Sequence, residues 1–187
     1  MKRLALVAAL VLVTAVGYRS FGSEETGTGT LTLQQPAPVV GQKVPSFSAQ
    51  NTEGGDFTLK DHGVYVLTFW STLNQGSDLS RPAFDRLARK YGGSGVTFAA
   101  VYVNSIPEEQ APYAVLRDGS GRLTSLYNVK RVPRLFVVKD GEVQFVQNGY
   151  YEENSEQLEA KLREILAEDD KASSGGPGQS HSGERRS

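Results

Sequence analysis

The chain has 187 residues, of which 39% are hydrophobic and 22% charged, and its formal net charge is −1 at pH 7. This length and composition predict one folded domain with loose ends, and the near-neutral charge argues against nucleic acid as a partner, because phosphate binding needs clustered lysine and arginine. No residue is cysteine, so stabilisation by disulfides and thiol chemistry are excluded for this chain.

The N-terminus carries a targeting pattern. Two basic residues precede an apolar segment, residues 4–16, in the layout of a signal peptide. Cleavage after Gly17 or Gly22 fits the small residues nearby, and an uncleaved membrane anchor is an open alternative. In both cases the basic residues hold the N-terminus in the cytoplasm. We therefore expect residues 1–22 to be a signal peptide or anchor, and the remaining chain to be extracytoplasmic, either periplasmic or at the cell surface.

Two polar segments flank the predicted domain. Residues 23–40 contain few large apolar side chains, which is too little hydrophobic area to offset the entropy of ordering, so we expect a flexible spacer. Residues 171–187 are rich in serine, glycine and charged residues, a composition that predicts a disordered tail. The folded domain should therefore span residues 41–170.

The first half of the domain alternates strands with a helix. Two alternating segments flank a turn-rich insert at residues 52–56, which predicts an N-terminal β-hairpin. Residues 64–69 are continuously apolar and β-branched, as in a central strand that is buried on both faces. Residues 78–91 place apolar side chains on one helical face, and residues 96–103 form a second buried strand. Strand, helix and strand in this order imply a right-handed parallel crossover.

The second half begins with a glycine-rich turn and a short helix that ends near Asn128. Residues 135–139 and 142–147 are two strands joined by an Asp-Gly pair, which is a strong hairpin signal. Asn154 or Ser155 can cap a last helix that has an apolar stripe. The elements together predict an α/β fold with a mixed central β-sheet, helices on both faces and an N-terminal β-hairpin.

Three segments carry a resemblance to a known family. Residues 40–47 look like its N-terminal hairpin entry, residues 67–72 like its strand into the active-site turn, and residues 132–136 like its cis-proline strand. In this order they resemble the redoxin family, specifically the membrane-tethered thiol-disulfide oxidoreductases of cytochrome c maturation. The resemblance covers nearly the whole domain. It implies a thioredoxin-like fold and a cis peptide bond before Pro133.

The resemblance also locates a degenerate active site. Alignment without gaps from Trp70 onward puts Asn74 and Ser77 on the two cysteine positions of the family's CxxC motif. Asp78 stands where a basic residue commonly follows, and Ser80 where an acidic residue is expected. Positive potential at a helix N-terminus activates a thiol, and Asp78 opposes it. We therefore expect no catalytic residue and no thiol-disulfide oxidoreductase activity.

The remaining polar side chains favour structural roles. Ser77 would need a base to act as a nucleophile, and the two histidines are His62 in a loop and His181 in the tail. Its expected role is to cap a helix that starts at Asp78, while Asn74 satisfies backbone groups of the turn. His62 has no second histidine or cysteine at ligand spacing, so we expect no metal site and no cofactor.

Pro133 is the position best suited to a retained function. The resemblance implies that the backbone of Arg131 and Val132 presents a strand edge that can pair with an extended peptide, which needs no cysteine. Arg134 stands where the family often has threonine, so the groove is either charged or blocked. Trp70, the single tryptophan, is either a packing residue or an exposed stacking surface of the same peptide site. The alternative for Pro133 is a purely structural role in a core turn.

Three functional hypotheses follow. The first is a redox-inactive, thioredoxin-like binding or assembly module on the extracytoplasmic face of the membrane, with a membrane-associated protein partner. The second is a redoxin-family enzyme that works without its own cysteines or with a sulfur supplied by a partner. The third is a structural subunit whose tail, residues 171–187, contacts its neighbours. A retained N-terminal anchor would add the membrane itself as a partner. The identity of the partner and the oligomeric state are left open.

Overall fold

The computed structural model describes residues 36–151 and 153–174. The predicted signal peptide or anchor, most of the spacer and most of the tail lie outside these residues. An N-terminal hairpin and a five-stranded main sheet are present. The strands are β1 (Phe47–Gln50), β2 (Asp56–Leu59), β3 (Val64–Trp70), β4 (Val96–Tyr102), β5 (Ala114–Arg117), β6 (Arg134–Lys139) and β7 (Glu142–Asn148). The helices are α1 (Gln75–Tyr91), which a short 3-10 helix follows (Gly92–Ser94), α2 (Arg122–Leu126) and α3 (Asn154–Ser174).

The main sheet has the strand order β5-β4-β3-β6-β7. β3 pairs in parallel with β4 and antiparallel with β6. β4 pairs in parallel with β5, and β6 pairs antiparallel with β7. The predicted mixed sheet is confirmed, as is the separate antiparallel hairpin of β1 and β2. Every residue of β3 is buried, as its continuous apolar run predicts.

Helices cover both faces of the main sheet. Alternate residues of a strand point to opposite faces, and β3 therefore contributes to two core layers. Val66 and Trp70 contact the core beneath α1 and α3. Leu67 and Phe69 contact the core beneath the hairpin and α2. The last turn of the sheet, between β6 and β7, has positive φ at Asp140 (50°) and at Gly141 (72°), which suits the Asp-Gly pair.

Two helix boundaries and one strand differ from the expectations. α1 begins at Gln75 and not at residue 78, because an earlier residue caps it. β5 is a short strand that the sequence does not predict, and it forms through pairing with β4. α3 continues to Ser174, so residues 171–174 are helical although they were expected in the tail. Among the described residues, no helix combines the length and apolarity that crossing a membrane requires.

Candidate functional site

The chain turns from β3 into α1 through residues 71–74, and Asn74 closes this turn. Its side-chain Oδ1 accepts a hydrogen bond from the N–H of Ser77 at 2.9 Å. Its backbone is extended, with φ −120° and ψ 114°, as an N-cap residue requires. The expectation that Asn74 satisfies backbone groups is confirmed. The expectation that Ser77 caps a helix starting at Asp78 is wrong, because the preceding asparagine already fills that role and α1 begins at Gln75.

Ser77 lies inside the first turn of α1 and is only 1% exposed. Its hydroxyl Oγ accepts a hydrogen bond from the N–H of Ser71 at 3.2 Å and donates one to Oδ1 of Asn74 at 3.2 Å. The hydroxyl of Ser80 donates to the C=O of Ser77 at 2.8 Å. The two residues at the predicted cysteine positions therefore bond to each other and to the backbone around them.

Among the described residues, no base contacts the Ser77 hydroxyl, whose hydrogen bonds go to Ser71 and Asn74. In the described part of the chain the histidine is His62, which precedes β3, whereas Ser77 follows its end. The His62 side chain is 75% exposed and contacts Asp61. Asp78 is exposed on the first turn of α1. Within residues 36–151 and 153–174, no three side chains of histidine, aspartate or glutamate form a group that could hold a metal ion.

Pro133 lies directly against the first turn of α1. Its bond to Val132 is cis, as the resemblance implies. A Cβ atom built on Gly76 would be 3.2 Å from Cδ of Pro133. The C=O of Pro133 accepts a hydrogen bond from the N–H of Gly149 at 2.9 Å. The structure therefore brings the two cysteine positions and Pro133 together at one end of the sheet.

A groove of about 510 Å³ runs beside Pro133. Arg131 is exposed and Val132 is half-buried. Among the described residues, no hydrogen bond uses the backbone N–H or C=O of Arg131 or Val132. A strand edge is therefore available beside the groove. The lining residues include Arg131, Val132, Pro133, Arg134, Asn148 and Tyr151.

Arg134 contributes a positive charge to this groove. Its Nη1 donates a hydrogen bond to Oδ1 of Asn148, and its guanidinium carbon lies 5.0 Å from the centre of the Phe136 ring. Burial lowers the pKa of Arg134 below its ordinary value, although the group stays charged near neutral pH. Of the two expectations for this position, a charged groove and a blocked one, the structure shows an open groove with a charge in its wall.

The family profile that matches this chain is that of the AhpC/TSA family, over residues 40–146. This range is more than half of the 187 residues. The chain belongs to the AhpC/TSA family. The resemblance to redoxins is thereby confirmed. No curated protein sequence matches the chain.

Several solved structures are similar in fold to this AhpC/TSA-family chain. A Chlorobium tepidum protein, described as a candidate thiol:disulfide interchange protein DsbE, is 25% identical with a TM-score of 0.61, over 70% of this chain and 99% of its own. DsbF of Mycobacterium tuberculosis is 24% identical with a TM-score of 0.53, over 65% and 98%. A secreted M. tuberculosis disulfide oxidoreductase homologous to E. coli DsbE is 17% identical with a TM-score of 0.51, over 63% and 95%. The last two share the fold alone. The thioredoxin-like fold is confirmed.

Trp70 is a packing residue in this AhpC/TSA-family domain. It is 1% exposed, and its ring makes edge-on contacts with Phe84, Tyr102 and Tyr113 at centroid distances of 5.0, 5.9 and 6.2 Å. A side chain so enclosed offers no surface on which a partner could stack. Of the two roles expected for Trp70 the structure shows packing, and Trp70 is not among the residues that line the groove. Arg131, Val132, Pro133 and Arg134 stay predicted peptide-binding residues.

Three residues that line the groove were missed in the sequence. Asn148 and Gly149, at and just after the end of β7, and Tyr151, which is 65% exposed, line the groove together with Pro133. They are near Pro133 only because β7 pairs with β6. The one local signal was an aromatic residue in a polar loop after a strand, which is too common to indicate a site.

Proposed function

We propose that this AhpC/TSA-family protein is a redox-inactive binding module that acts on the extracytoplasmic face of the membrane. It holds an extended segment of a partner protein in the groove beside Pro133. The observation that carries this proposal is the difference between the turn at the two cysteine positions and the groove next to it. The turn at Asn74 and Ser77 is closed by its own hydrogen bonds, whereas the groove beside it is open.

The closed turn argues against exchange chemistry. Disulfide exchange requires a thiolate that attacks sulfur, and the chain contains no cysteine. The hydroxyl of Ser77 is buried and already bonded on both sides. A serine nucleophile also needs a neighbouring base. Neither requirement is met by the described residues of this turn.

The open groove supports binding. An extended peptide adds to an exposed strand edge through main-chain hydrogen bonds, and pockets beside the edge choose its side chains. Arg131 and Val132 provide backbone groups that form no hydrogen bond within the described residues. Pro133 and Tyr151 add apolar groups to the lining of the groove. Such binding requires no cysteine, so it can persist where the redox function is absent.

The location is inferred from the N-terminal sequence. Two basic residues followed by the apolar segment 4–16 direct export of the chain that follows. N-terminal sequencing of the native protein tests this directly. We expect a mature N-terminus after Gly17 or Gly22, or Met1 with the protein in the membrane fraction. Recovery of the full-length, uncleaved protein from the cytoplasmic fraction would contradict the proposed location.

Site-directed photocrosslinking in the full-length protein tests the binding function. A photoreactive phenylalanine analogue replaces Tyr151 in the groove, and the matched control carries it at His62, which is exposed before the start of β3. We expect a discrete crosslinked partner from position 151 and none from position 62, with the partner identified by mass spectrometry after mild-detergent extraction. A protein that is recovered as a free monomer from both variants would sink the proposal.

A further inference from the structure

Arg134 is a half-buried cation that forms no ion pair with the described residues. Within the described residues, the ion pairs of the chain do not involve Arg134 or Arg131. The guanidinium of Arg134 bonds through Nη1 to Asn148, whose side chain is neutral. Its Nε is buried and forms no hydrogen bond within the described residues. Three of its five N–H donors, one on Nη1 and two on Nη2, therefore form no hydrogen bond with the described residues, whereas the enclosed Nε cannot reach a ligand in the groove.

The guanidinium is nevertheless held in one orientation. Asn148 fixes one end, and the Phe136 ring lies 5.0 Å from the guanidinium carbon. Cation–π contact and the planar shape of the group limit its rotation. A charge that is partly desolvated but unpaired carries a free-energy cost, which a bound carboxylate would offset.

The described residues that line the groove include charges of one sign only. Arg131 and Arg134 are among them, and no acidic residue of the described chain is. A groove lined by one sign of charge favours ligands of the opposite sign. An anionic group therefore complements this surface, and the anion that an unmodified peptide carries is a carboxylate.

We propose that the groove is selective for an extended partner segment that bears a carboxylate, and that Arg134 is the residue that binds it. This inference rests on the proposed function and adds the chemical class of its partner. Arg134 donates to both carboxylate oxygens through the N–H groups that Asn148 leaves free, while the peptide backbone pairs with Arg131 and Val132. The preference for a carboxylate over a neutral amide comes from the paired N–H donors of the guanidinium. A carboxylate offers two charged oxygens to these donors, whereas an amide offers one uncharged oxygen.

The experiment compares matched peptides on the full-length protein. An array carries short β-prone peptides with acetylated and amidated ends, each made with glutamate or with glutamine at one central position. A second set lacks acidic side chains but has a free C-terminal carboxylate, which separates side-chain from terminal recognition. We expect wild-type protein to bind the glutamate members, or the free-terminus members, about tenfold more tightly than their neutral counterparts.

Variants assign the preference to one residue. Arg134→Gln should abolish it, and Arg134→Lys should retain only part of it, because lysine keeps the charge without the fork. Arg89→Gln is the matched control, since it removes the same charge from an exposed position on α1. Fluorescence of Trp70 checks that each variant is folded.

The outcomes separate this inference from the proposed function. Equal binding of glutamate and glutamine peptides would overturn the inference and leave the binding function standing, as would a preference that survives Arg134→Gln. Absence of binding to every peptide would overturn both. Glu24 and Glu25 lie in the predicted spacer, residues 23–40. A double variant, Glu24→Gln and Glu25→Gln, that binds the glutamate peptides much better would show that these glutamates compete for the groove and would overturn the partner proposal.

Discussion

Gly76 and Pro133 fit against each other so closely that a side chain at position 76 would touch the proline ring. A Cβ atom there would lie 3.2 Å from Cδ of Pro133 and 3.2 Å from Oδ1 of Asn74. The contact joins the first turn of α1 to the wall of the groove. The N-cap residue Asn74 and the peptide-binding candidate Pro133 therefore both pack against Gly76 and belong to one site.

Gly76→Ala should therefore fail to stabilise the protein, although alanine is the better helix former. An alanine in place of a helical glycine commonly adds about 0.5–1 kcal/mol, but here the crowding against Pro133 and Asn74 opposes the gain. Gly92→Ala is the control, because nothing lies within 4 Å of a Cβ at that position. Denaturant unfolding should show a more stable Gly92 variant and an unchanged or less stable Gly76 variant. Equal stabilisation of both would show that the contact is loose.

Asn74→Ala should destabilise the protein by about 1 kcal/mol, because it removes an N-cap. The substitution deletes the oxygen that accepts hydrogen bonds from the N–H and the hydroxyl of Ser77. Asn74→Asp keeps that oxygen and should be tolerated, since a carboxylate also suits a helix N-terminus. Chemical denaturation of the three proteins measures the difference. An alanine variant as stable as wild type would remove Asn74 from the role assigned to it.

Ser77→Ala should cost about 1–2 kcal/mol, because the buried N–H of Ser71 loses its acceptor. The side chain is 1% exposed, so water cannot easily replace the hydroxyl. Ser94→Ala is the control at an exposed serine, where we expect less than about 0.5 kcal/mol. The measurement is the midpoint and slope of urea unfolding. Indistinguishable midpoints for the two variants would contradict the buried network.

Tyr102→Phe should reduce the loss of stability at alkaline pH. Burial raises the pKa of Tyr102 to about 12, whereas in the unfolded chain a tyrosine ionises near 10. The contribution of the neutral tyrosine is fully present below pH ~10 and is lost as the pH rises through about 12. Wild type should thus lose roughly 1 kcal/mol more than the variant between about pH 9 and 11.

The same substitution should cost little at neutral pH. The hydroxyl of Tyr102 is buried and has no hydrogen-bond partner among the described residues, so its removal leaves nothing unpaired. Tyr151→Phe, at a side chain that is 65% exposed, is the control and should leave the pH profile of wild type unchanged. Parallel profiles for Tyr102→Phe and wild type would argue against the burial of this hydroxyl.

Wild-type protein should give no turnover above buffer in insulin reduction and in peroxide consumption. Insulin reduction and peroxide consumption by proteins of this fold both depend on a thiolate, and the chain has no cysteine. A thioredoxin with intact cysteines serves as the positive control under the same conditions. A reproducible thiol-dependent rate from the wild-type chain would revive the hypothesis of an enzyme that borrows its sulfur.

Some elements were predictable because their signals are local. The buried run of β3 and the Asp-Gly turn between β6 and β7 both appear as expected. The start of α1 was not predictable, because Asn74, Ser77 and Asp78 are all good capping residues and only the observed hydrogen bonds distinguish them. β5 was missed because a short edge strand is defined by its partner β4, which the local sequence does not contain.

The candidate site divides in the same way. The sequence alone shows that thiol chemistry is lost, because the chain contains no cysteine. Short-range patterns in the sequence also predict the order of the elements and the positions of Pro133 and Arg134. Only the tertiary structure could show that Trp70 is enclosed, that Asn148 and Tyr151 line the same groove as Pro133, and that no acidic residue of the described chain lines it. The burial and the ion pairing of a side chain depend on its neighbours in space. Strand pairing and helix packing bring these neighbours together from distant parts of the chain, so local sequence patterns do not reveal them.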